Sequence, residues 1–96
     1  MSPANKKRLD LIRIKLDRLD TELLKLIKKR SNLVNDVLKI KIYKNEIIDQ
    51  KRIDFILKKI KEKSIKLNID PKITNRIWKN MIWSFIDYEK RNFKKK

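Results

Sequence analysis

The sequence lacks cysteine, histidine and glycine altogether. Without cysteine there is neither a disulfide nor a thiolate nucleophile. Without histidine the usual general base and the usual imidazole metal ligand are also missing. Catalysis by a Ser/His/Asp or Cys/His arrangement, or by zinc, is therefore excluded. Only carboxylates are left as metal ligands, and we expect neither a metal nor a cofactor.

Long hydrophobic runs are missing as well. No uninterrupted apolar run approaches the roughly 20 residues that a membrane-spanning helix needs. The N-terminal stretch MSPANKKR has no apolar segment of the kind that signal peptides carry. We therefore expect a soluble cytoplasmic protein. At 96 residues we expect one domain over 1–96 with a basic tail over 90–96, and a core that is marginal without a partner.

Negative charge is scarce, with 12 Asp and Glu against 28 Lys and Arg and a net charge of +16. Such an excess raises affinity for phosphate backbones and anionic lipids. Most of the cations are lysines, in a chain also crowded with Ile and Asn, a bias typical of an A+T-rich coding sequence. We interpret the charge as a solvated lysine surface. A basic helical dimer that binds nucleic acid or acts as an assembly factor, through KKIKEKSIK and the tail, is the alternative from another class.

Start signals and apolar spacing predict an all-α fold of three helices, one long and two shorter. Ser2 can cap a first helix that runs without interruption to about Tyr43. Asp49 can cap a second helix, and Asp70 followed by Pro71 a third. One apolar stripe is expected on each shorter helix: Ile53, Ile56, Ile60, Ser64 and Leu67 on the second, and Ile73, Ile77, Met81 and Phe85, with Trp78 and Ile82 alongside, on the third.

The first helix carries an apolar seam that repeats every seven residues, which is typical of a coiled coil or bundle. A helix of about 40 residues is about 60 Å long, and two short helices cannot cover it. Because the exposed part needs another chain, we predict an intertwined antiparallel homodimer in which the helices of both copies share one core. The seam consists of Leu9, Ile12, Leu16, Leu19, Leu23, Leu26, Leu33, Val37 and Ile40.

One seam position is a permanent cation, Arg30. Burying an unpaired guanidinium costs several kcal/mol, so such a residue needs a partner or must reach solvent. Arg30 can snorkel, pair with Asp20 or Glu22 across a dimer seam, or bind an anion. Arg13 and Lys41 stand on a flank of the same seam. Several inward cations with few inward anions favour a cavity for an anionic ligand.

These residues resemble the all-helical chorismate mutase family over roughly residues 9 to 90. The likeness is carried by IRIKLDRLDTELLKLIKKRSNLVNDVLKIK, by IIDQKR and by IDPKITNRIWKNMIWSFIDYE. The resemblance implies an isomerase of the shikimate pathway that rearranges chorismate to prephenate, on the route to phenylalanine and tyrosine. The step is concerted and uses no nucleophile, metal or cofactor. The specific elements are Arg13, the run LD-x-x-LL-x-LI-x-x-R from Leu19 to Arg30, Lys41, and Asp49-x-x-Arg52.

The family pattern implies a role for each of these residues. Arg30 and, from the other subunit, Arg13 would hold the two carboxylates of chorismate in the compact diaxial conformer. Lys41 would donate to the ether oxygen, where negative charge grows as the C–O bond breaks. Asp49 and Arg52 would lie at the ring hydroxyl side of the pocket.

The chain departs from the family pattern at three positions. Ile53 follows Arg52 where many members have glutamate, and Phe85 stands where a serine is expected. Glu89 replaces a glutamine that donates to the ether oxygen, and since a carboxyl group donates only when protonated, we expect activity favouring acidic pH. An apolar residue after Arg52 and an aromatic at Phe85 also resemble the isochorismate pyruvate-lyase branch, and an amino-chorismate mutase is a further alternative. The candidate substrate-binding residues are Arg13, Arg30, Lys41, Asp49, Arg52, Phe85 and Glu89, of which Arg30, Lys41 and Glu89 are the catalytic candidates.

Overall fold

The structure, a computed structural model, describes residues 1–94. It contains three α-helices, α1 (Pro3–Ile40), α2 (Gln50–Lys66) and α3 (Pro71–Asn92), and a short 3-10 turn (Lys44–Glu46) between α1 and α2. Residues 1–94 contain no strand, so the predicted all-α fold of three helices is confirmed. None of the helices within this range is both long enough and apolar enough to cross a membrane.

Each α-helix begins directly after the polar residue that the sequence predicted as its cap. The side-chain oxygens of Ser2 and Asp49 each accept a hydrogen bond at 3.1 Å from the backbone N–H three residues further on. Asp70 accepts one at 2.9 Å from the N–H two residues further on. These N–H groups have no acceptor inside their own helix, and a capping side chain supplies one at a gain of about 1 kcal/mol.

The end of α1 differs from the prediction. The helix ends at Ile40 and not at about Tyr43, because Tyr43 has an extended backbone with φ −111° and ψ 143°. The amide of Tyr43 donates instead to Glu46 Oε1 at 3.0 Å, which closes a new turn. Lys41 still donates its amide to Val37 O at 3.1 Å, so its backbone continues the hydrogen-bond pattern of α1.

The turn between α2 and α3 needs a residue in the left-handed region, and the chain has no glycine to supply it. Asn68 takes that conformation with a φ of 56°. The amides of Asn68 and Ile69 then donate to Ile65 O at 3.2 Å and Ser64 O at 2.9 Å. Asparagine is the usual substitute for glycine at this position, and the two bonds satisfy carbonyls that the helix end would leave without donors.

The chain divides into two compact units, residues 1–33 and 34–96. The first unit is formed by the larger part of α1, a helix in which no residue is buried. Four consecutive seam leucines of this unit are more than half exposed, Leu16 52%, Leu19 59%, Leu23 54% and Leu26 57%, whereas Leu9 near the start of the helix is half-buried. The single domain over 1–96 stays a prediction. Part of the predicted basic tail, residues 95 and 96, lies outside the described residues.

The second unit has a small core of four buried isoleucines. Ile53 comes from α2, and Ile82 and Ile86 come from α3. The most buried of them, Ile47 at 3% exposure, lies in the connection before α2. Ile47 belongs to none of the apolar stripes that the sequence predicts. The core therefore ties the connection to both short helices.

The buried face of α3 also differs from the predicted stripe. Ile73 and Ile77 are 55% and 51% exposed in this chain, whereas Thr74 is 8% exposed. The hydroxyl groups of Thr74 and Ser64 form a buried hydrogen bond of 2.7 Å between α3 and α2. Because each hydroxyl satisfies the other, a polar residue occupies the helix interface where apolar spacing alone predicts isoleucine.

Candidate active site

Two of the predicted site residues meet in a poorly exposed ion pair. Lys41 Nζ donates to Glu89 Oε1 at 3.2 Å, and the side chains are 17% and 7% exposed. Lys41 Nζ also donates to the carbonyl oxygen of Ile47 at 3.4 Å. Removal of either charge would leave the other one poorly solvated and uncompensated, which is strongly unfavourable. The pair is therefore held together by its surroundings as well as by its own attraction.

Local sequence places both charges at this point. Lys41 follows the last residue of α1, and its backbone keeps the helical direction through the amide bond to Val37. Ile82, Ile86 and Glu89 follow one another at spacings of four and three residues. Residues at these spacings share one face of a helix. All three side chains are buried. The carboxylate thus continues the core face of α3 towards Lys41.

Lys41 also lines an open pocket of about 430 Å³. Binding pockets for small molecules usually measure about 300–1,000 Å³, so the pocket is large enough for a small ligand. Its wall carries charges of both signs, since two lysines and two carboxylates contribute to it. The lining residues are Lys41, Glu46, Ile48, Asp49, Gln50 and Lys51.

Asp49 and Arg52 lie at the start of α2 but face different surroundings. Asp49 caps the helix by accepting from the Arg52 amide at 3.1 Å, and it also lines the pocket beside Lys41. The Arg52 guanidinium lies over the ring of the half-exposed Phe55, 5.3 Å from its centroid. A cation–π contact at an exposed site is worth about 0.5–1 kcal/mol. Arg52 is not among the residues that line the pocket.

The remaining predicted site residues are not among those that line the described pocket. Arg13 and Arg30 lie on α1 in the first unit, where Arg13 is exposed and Arg30 is half-buried. Phe85 is half-buried on α3, one turn before Glu89. Ile53, which replaces the family's glutamate, is 6% exposed and belongs to the isoleucine core. No polar group is therefore offered to a ligand from position 53.

Three contributions to this region were missed in the sequence analysis. They are the Ile47 carbonyl that accepts from Lys41, the pocket position of Glu46, and a hydrogen bond of 2.7 Å from the Tyr88 hydroxyl to Asn35 Oδ1. The spacing of Tyr43 and Glu46 resembles a capping box and could have indicated the turn. No local signal predicts the bond between Tyr88 and Asn35, because the two residues are 53 positions apart.

The arrangement can stabilise negative charge on a ligand oxygen. A lysine ammonium has three N–H donors, and over residues 1–94 the protein takes up two of those of Lys41. Because Lys41 also lines the pocket, its third donor can serve a ligand oxygen there, with the ammonium held by the other two bonds. Donors that need no rearrangement stabilise developing charge most effectively. Within residues 1–94 no group of three or more acidic side chains could hold a metal ion.

Comparison with known proteins identifies the family. Searches of curated proteins and of solved structures gave no match. A family model described as chorismate mutase type II matches residues 12–90. The matched span contains the Lys41–Glu89 pair, the described pocket and both candidate arginines of α1. Since the match covers most of the chain, the protein belongs to the chorismate mutase type II family.

Proposed function

We propose that the protein is a chorismate mutase that rearranges chorismate to prephenate and acts as a homodimer. The observation that supports this most strongly is the Lys41–Glu89 pair at 3.2 Å beside an open pocket, in a chain that matches the family. The reaction breaks a C–O bond and forms a C–C bond within one molecule, so no group leaves and no nucleophile is required. This chemistry suits a chain without cysteine or histidine.

Lys41 stabilises the transition state in this proposal. Negative charge grows on the ether oxygen as the C–O bond lengthens, and the Lys41 ammonium donates to it. One preorganised donor of this kind accounts for about 10²–10³ in rate. Glu89 supplies a second donor to the same oxygen when its carboxyl group is protonated. Activity is therefore expected to be higher at acidic pH.

The carboxylate clamp is assigned from the family pattern alone. Arg30 and Arg13 of the partner subunit bind the two carboxylates, since a guanidinium can hold a carboxylate through two parallel hydrogen bonds. Holding both carboxylates selects the compact conformer in which the reacting carbons meet. Asp49 and Arg52 serve the ring hydroxyl side of the substrate, and Phe85 contributes an apolar wall.

A homodimer is supported by the exposed seam of the first unit. Leucines spaced by three and four residues are more than half exposed there, and α1 buries no residue within its own chain. A regular apolar stripe of this kind is suited to another helix with the same repeat. A second copy of the chain offers that helix, and a two-fold arrangement makes both sites equivalent.

Isochorismate pyruvate-lyase activity is the second candidate, and the burial of Ile53 favours it. Ile53 lies in the isoleucine core, so position 53 does not supply the carboxylate that holds the ring hydroxyl of chorismate by the family pattern. The same clamp and the same lysine could then act on isochorismate, in which the hydroxyl lies elsewhere on the ring. The elimination is also concerted and yields salicylate and pyruvate.

The direct test follows chorismate loss and prephenate formation with purified protein at pH 5 and pH 7.5, with isochorismate in parallel. Prephenate formation that is faster at pH 5 is the expected result. Lys41→Ala should lower the rate about 10²–10³-fold, whereas Lys58→Ala, an exposed lysine on α2, should not change it. Salicylate and pyruvate from isochorismate alone would assign the protein to the lyase branch. No turnover of either substrate would refute both candidates.

A further inference from the structure

A second polar contact joins the same parts of the chain as the Lys41–Glu89 pair. The Tyr88 hydroxyl donates to Asn35 Oδ1 at 2.7 Å, and both residues are half-buried. Tyr88 directly precedes Glu89 on α3, and Asn35 lies less than two helical turns before Lys41. The two hydrogen bonds therefore fasten one segment of α3 to the last part of α1.

Lys41 needs such support because of its position and its chemistry. It follows the last residue of α1, where helices fray, and its ammonium is carried on a flexible four-carbon chain. A tyrosine ring has few rotatable bonds, so a hydrogen bond from its hydroxyl fixes distance and direction well. A displacement of about 1 Å at a catalytic group can cost about 100-fold in rate.

The Tyr88–Asn35 bond also differs from the ion pair in carrying no charge. The charged side chain in contact with Glu89 is Lys41, from the end of α1. From α2, the uncharged Ile53 and Ser64 contribute to the contacts with α3. The bond between Tyr88 and Asn35 is formed by two neutral groups, so it does not depend on the charges of Lys41 and Glu89. This neutral bond is thus a second, independent contact that holds α3 against the end of α1 beside Lys41.

We propose that Tyr88 and Asn35 are positioning residues that hold α3 against the end of α1 and thereby set the place of Lys41 for catalysis. The proposal rests on the proposed function. It assigns neither residue a contact with the substrate. It requires that loss of the bond lower the turnover rate much more than the affinity for substrate.

The test compares Tyr88→Phe, Asn35→Leu and the double variant on chorismate. Each single change is expected to lower kcat by about 10- to 100-fold with KM within about twofold of the wild-type value. The double variant should be no worse than either single variant, because the two residues form one bond. Asn35→Asp keeps an acceptor oxygen and should retain most of the activity.

Thr74→Val is the matched control. It removes an interhelical hydrogen bond of the same length, 2.7 Å, but one that joins α3 to α2 and not to α1. Its kcat should stay within about twofold of wild type, since no preorganised group at the site is displaced. Equal kcat values for Tyr88→Phe and Thr74→Val would overturn the proposal.

A second measurement does not depend on turnover. Reductive methylation of Lys41, followed by mass spectrometry of peptides from the folded protein, reports how well its amine is held. Methylation is expected to be severalfold faster in Tyr88→Phe and unchanged in Thr74→Val, with far-UV circular dichroism confirming that both are helical. If wild type turns over neither substrate, the proposed function fails, and this measurement still decides the placement of Lys41. Unchanged methylation in Tyr88→Phe would contradict the positioning role.

Discussion

The two units of the chain differ in how far they bury apolar residues that recur at helical spacing. Residues 34–96 bury Ile47, Ile53, Ile82 and Ile86 in a core of their own, each at 6% exposure or less. Residues 1–33 carry leucines at helical spacing that remain exposed by more than half. Periodicity therefore identifies an apolar face, but it does not say which chain covers that face. The second unit buries part of its own apolar residues, although Ile73 and Ile77 stay exposed, and the exposed seam of the first unit is suited to a partner.

The candidate site shows the same division. The contacts seen within the second unit are the Lys41–Glu89 pair and the pocket beside it. The first unit carries the candidates Arg13 and Arg30, whose roles are proposed from the family pattern alone. If the dimer proposal is right, the unit without a core is also the one that provides the carboxylate clamp.

The largest effect is expected from a charge on the exposed seam. Leu23 and Leu24 are neighbours and are 54% and 66% exposed, but only Leu23 belongs to the seam. Leu23→Lys should dissociate the proposed dimer and lower the proposed mutase activity by more than about 100-fold, because an unpaired charge would have to be buried at the interface. Leu24→Lys should change neither. Sedimentation velocity and the prephenate assay check both variants. Equal behaviour of the two would contradict a dimer interface along the seam.

Loss of Arg30, the cation in the apolar seam, should have the next largest effect. Arg30→Ala is expected to lower kcat/KM about 10²–10³-fold, since the proposed clamp would lose the positive charge that holds one substrate carboxylate. Arg18→Ala, an exposed arginine on the same helix, is the control and should stay near wild type. Steady-state kinetics with chorismate measure both. An active Arg30→Ala protein would rule out the clamp.

Two substitutions in α2 test which isoleucines belong to the core of the second unit. Ile53 is 6% exposed and Ile65 is 56% exposed on the same helix. Ile53→Ala should lower the free energy of unfolding by about 3 kcal/mol through lost burial and a cavity. Ile65→Ala should change it by less than about 0.5 kcal/mol. Urea unfolding followed by circular dichroism distinguishes them, and equal losses would contradict a core confined to the four isoleucines.

The smallest expected effect concerns pH. Glu89→Gln keeps a donor whatever the pH, so its activity should be flat between pH 5 and 8, whereas wild type should be more active at pH 5 than at pH 8 if a carboxyl donor at position 89 takes part in the reaction. Glu62→Gln removes an exposed carboxylate that pairs with Lys59 at 3.6 Å, and it should keep the wild-type profile. Rate measurements across this range decide the matter. A flat wild-type profile would remove Glu89 from the donor role.

Much of the fold could be predicted because its determinants are local. The capping side chains of Ser2, Asp49 and Asp70 act within one helical turn, so short sequence patterns located all three helix starts. The end of α1 was placed too late because the turn at Tyr43 depends on a bond from its amide to Glu46. No glycine or proline marks that turn in the sequence.

The features that could not be predicted depend on distant partners. Thr74 is buried because it meets Ser64 on another helix, and Ile47 is buried because α2 and α3 close over a connecting segment. For the candidate site, the sequence indicated Lys41 and Glu89, and the structure brings them to 3.2 Å. The sequence pattern gave no indication that Tyr88 and Asn35 are in contact, because that contact exists only in the folded chain.

The most direct test of the central claim is intersubunit complementation. Arg13→Ala and Arg30→Ala chains are assayed separately, and then as an equal mixture that has been unfolded and refolded together. If each site uses Arg30 of one copy and Arg13 of the other, half of all dimers in the mixture contain one chain of each kind, and each of these holds one intact site of two. This predicts recovery to about a quarter of the wild-type rate. A mixture as inactive as its two parents, with dimers still formed, would contradict a mutase whose sites are shared between copies.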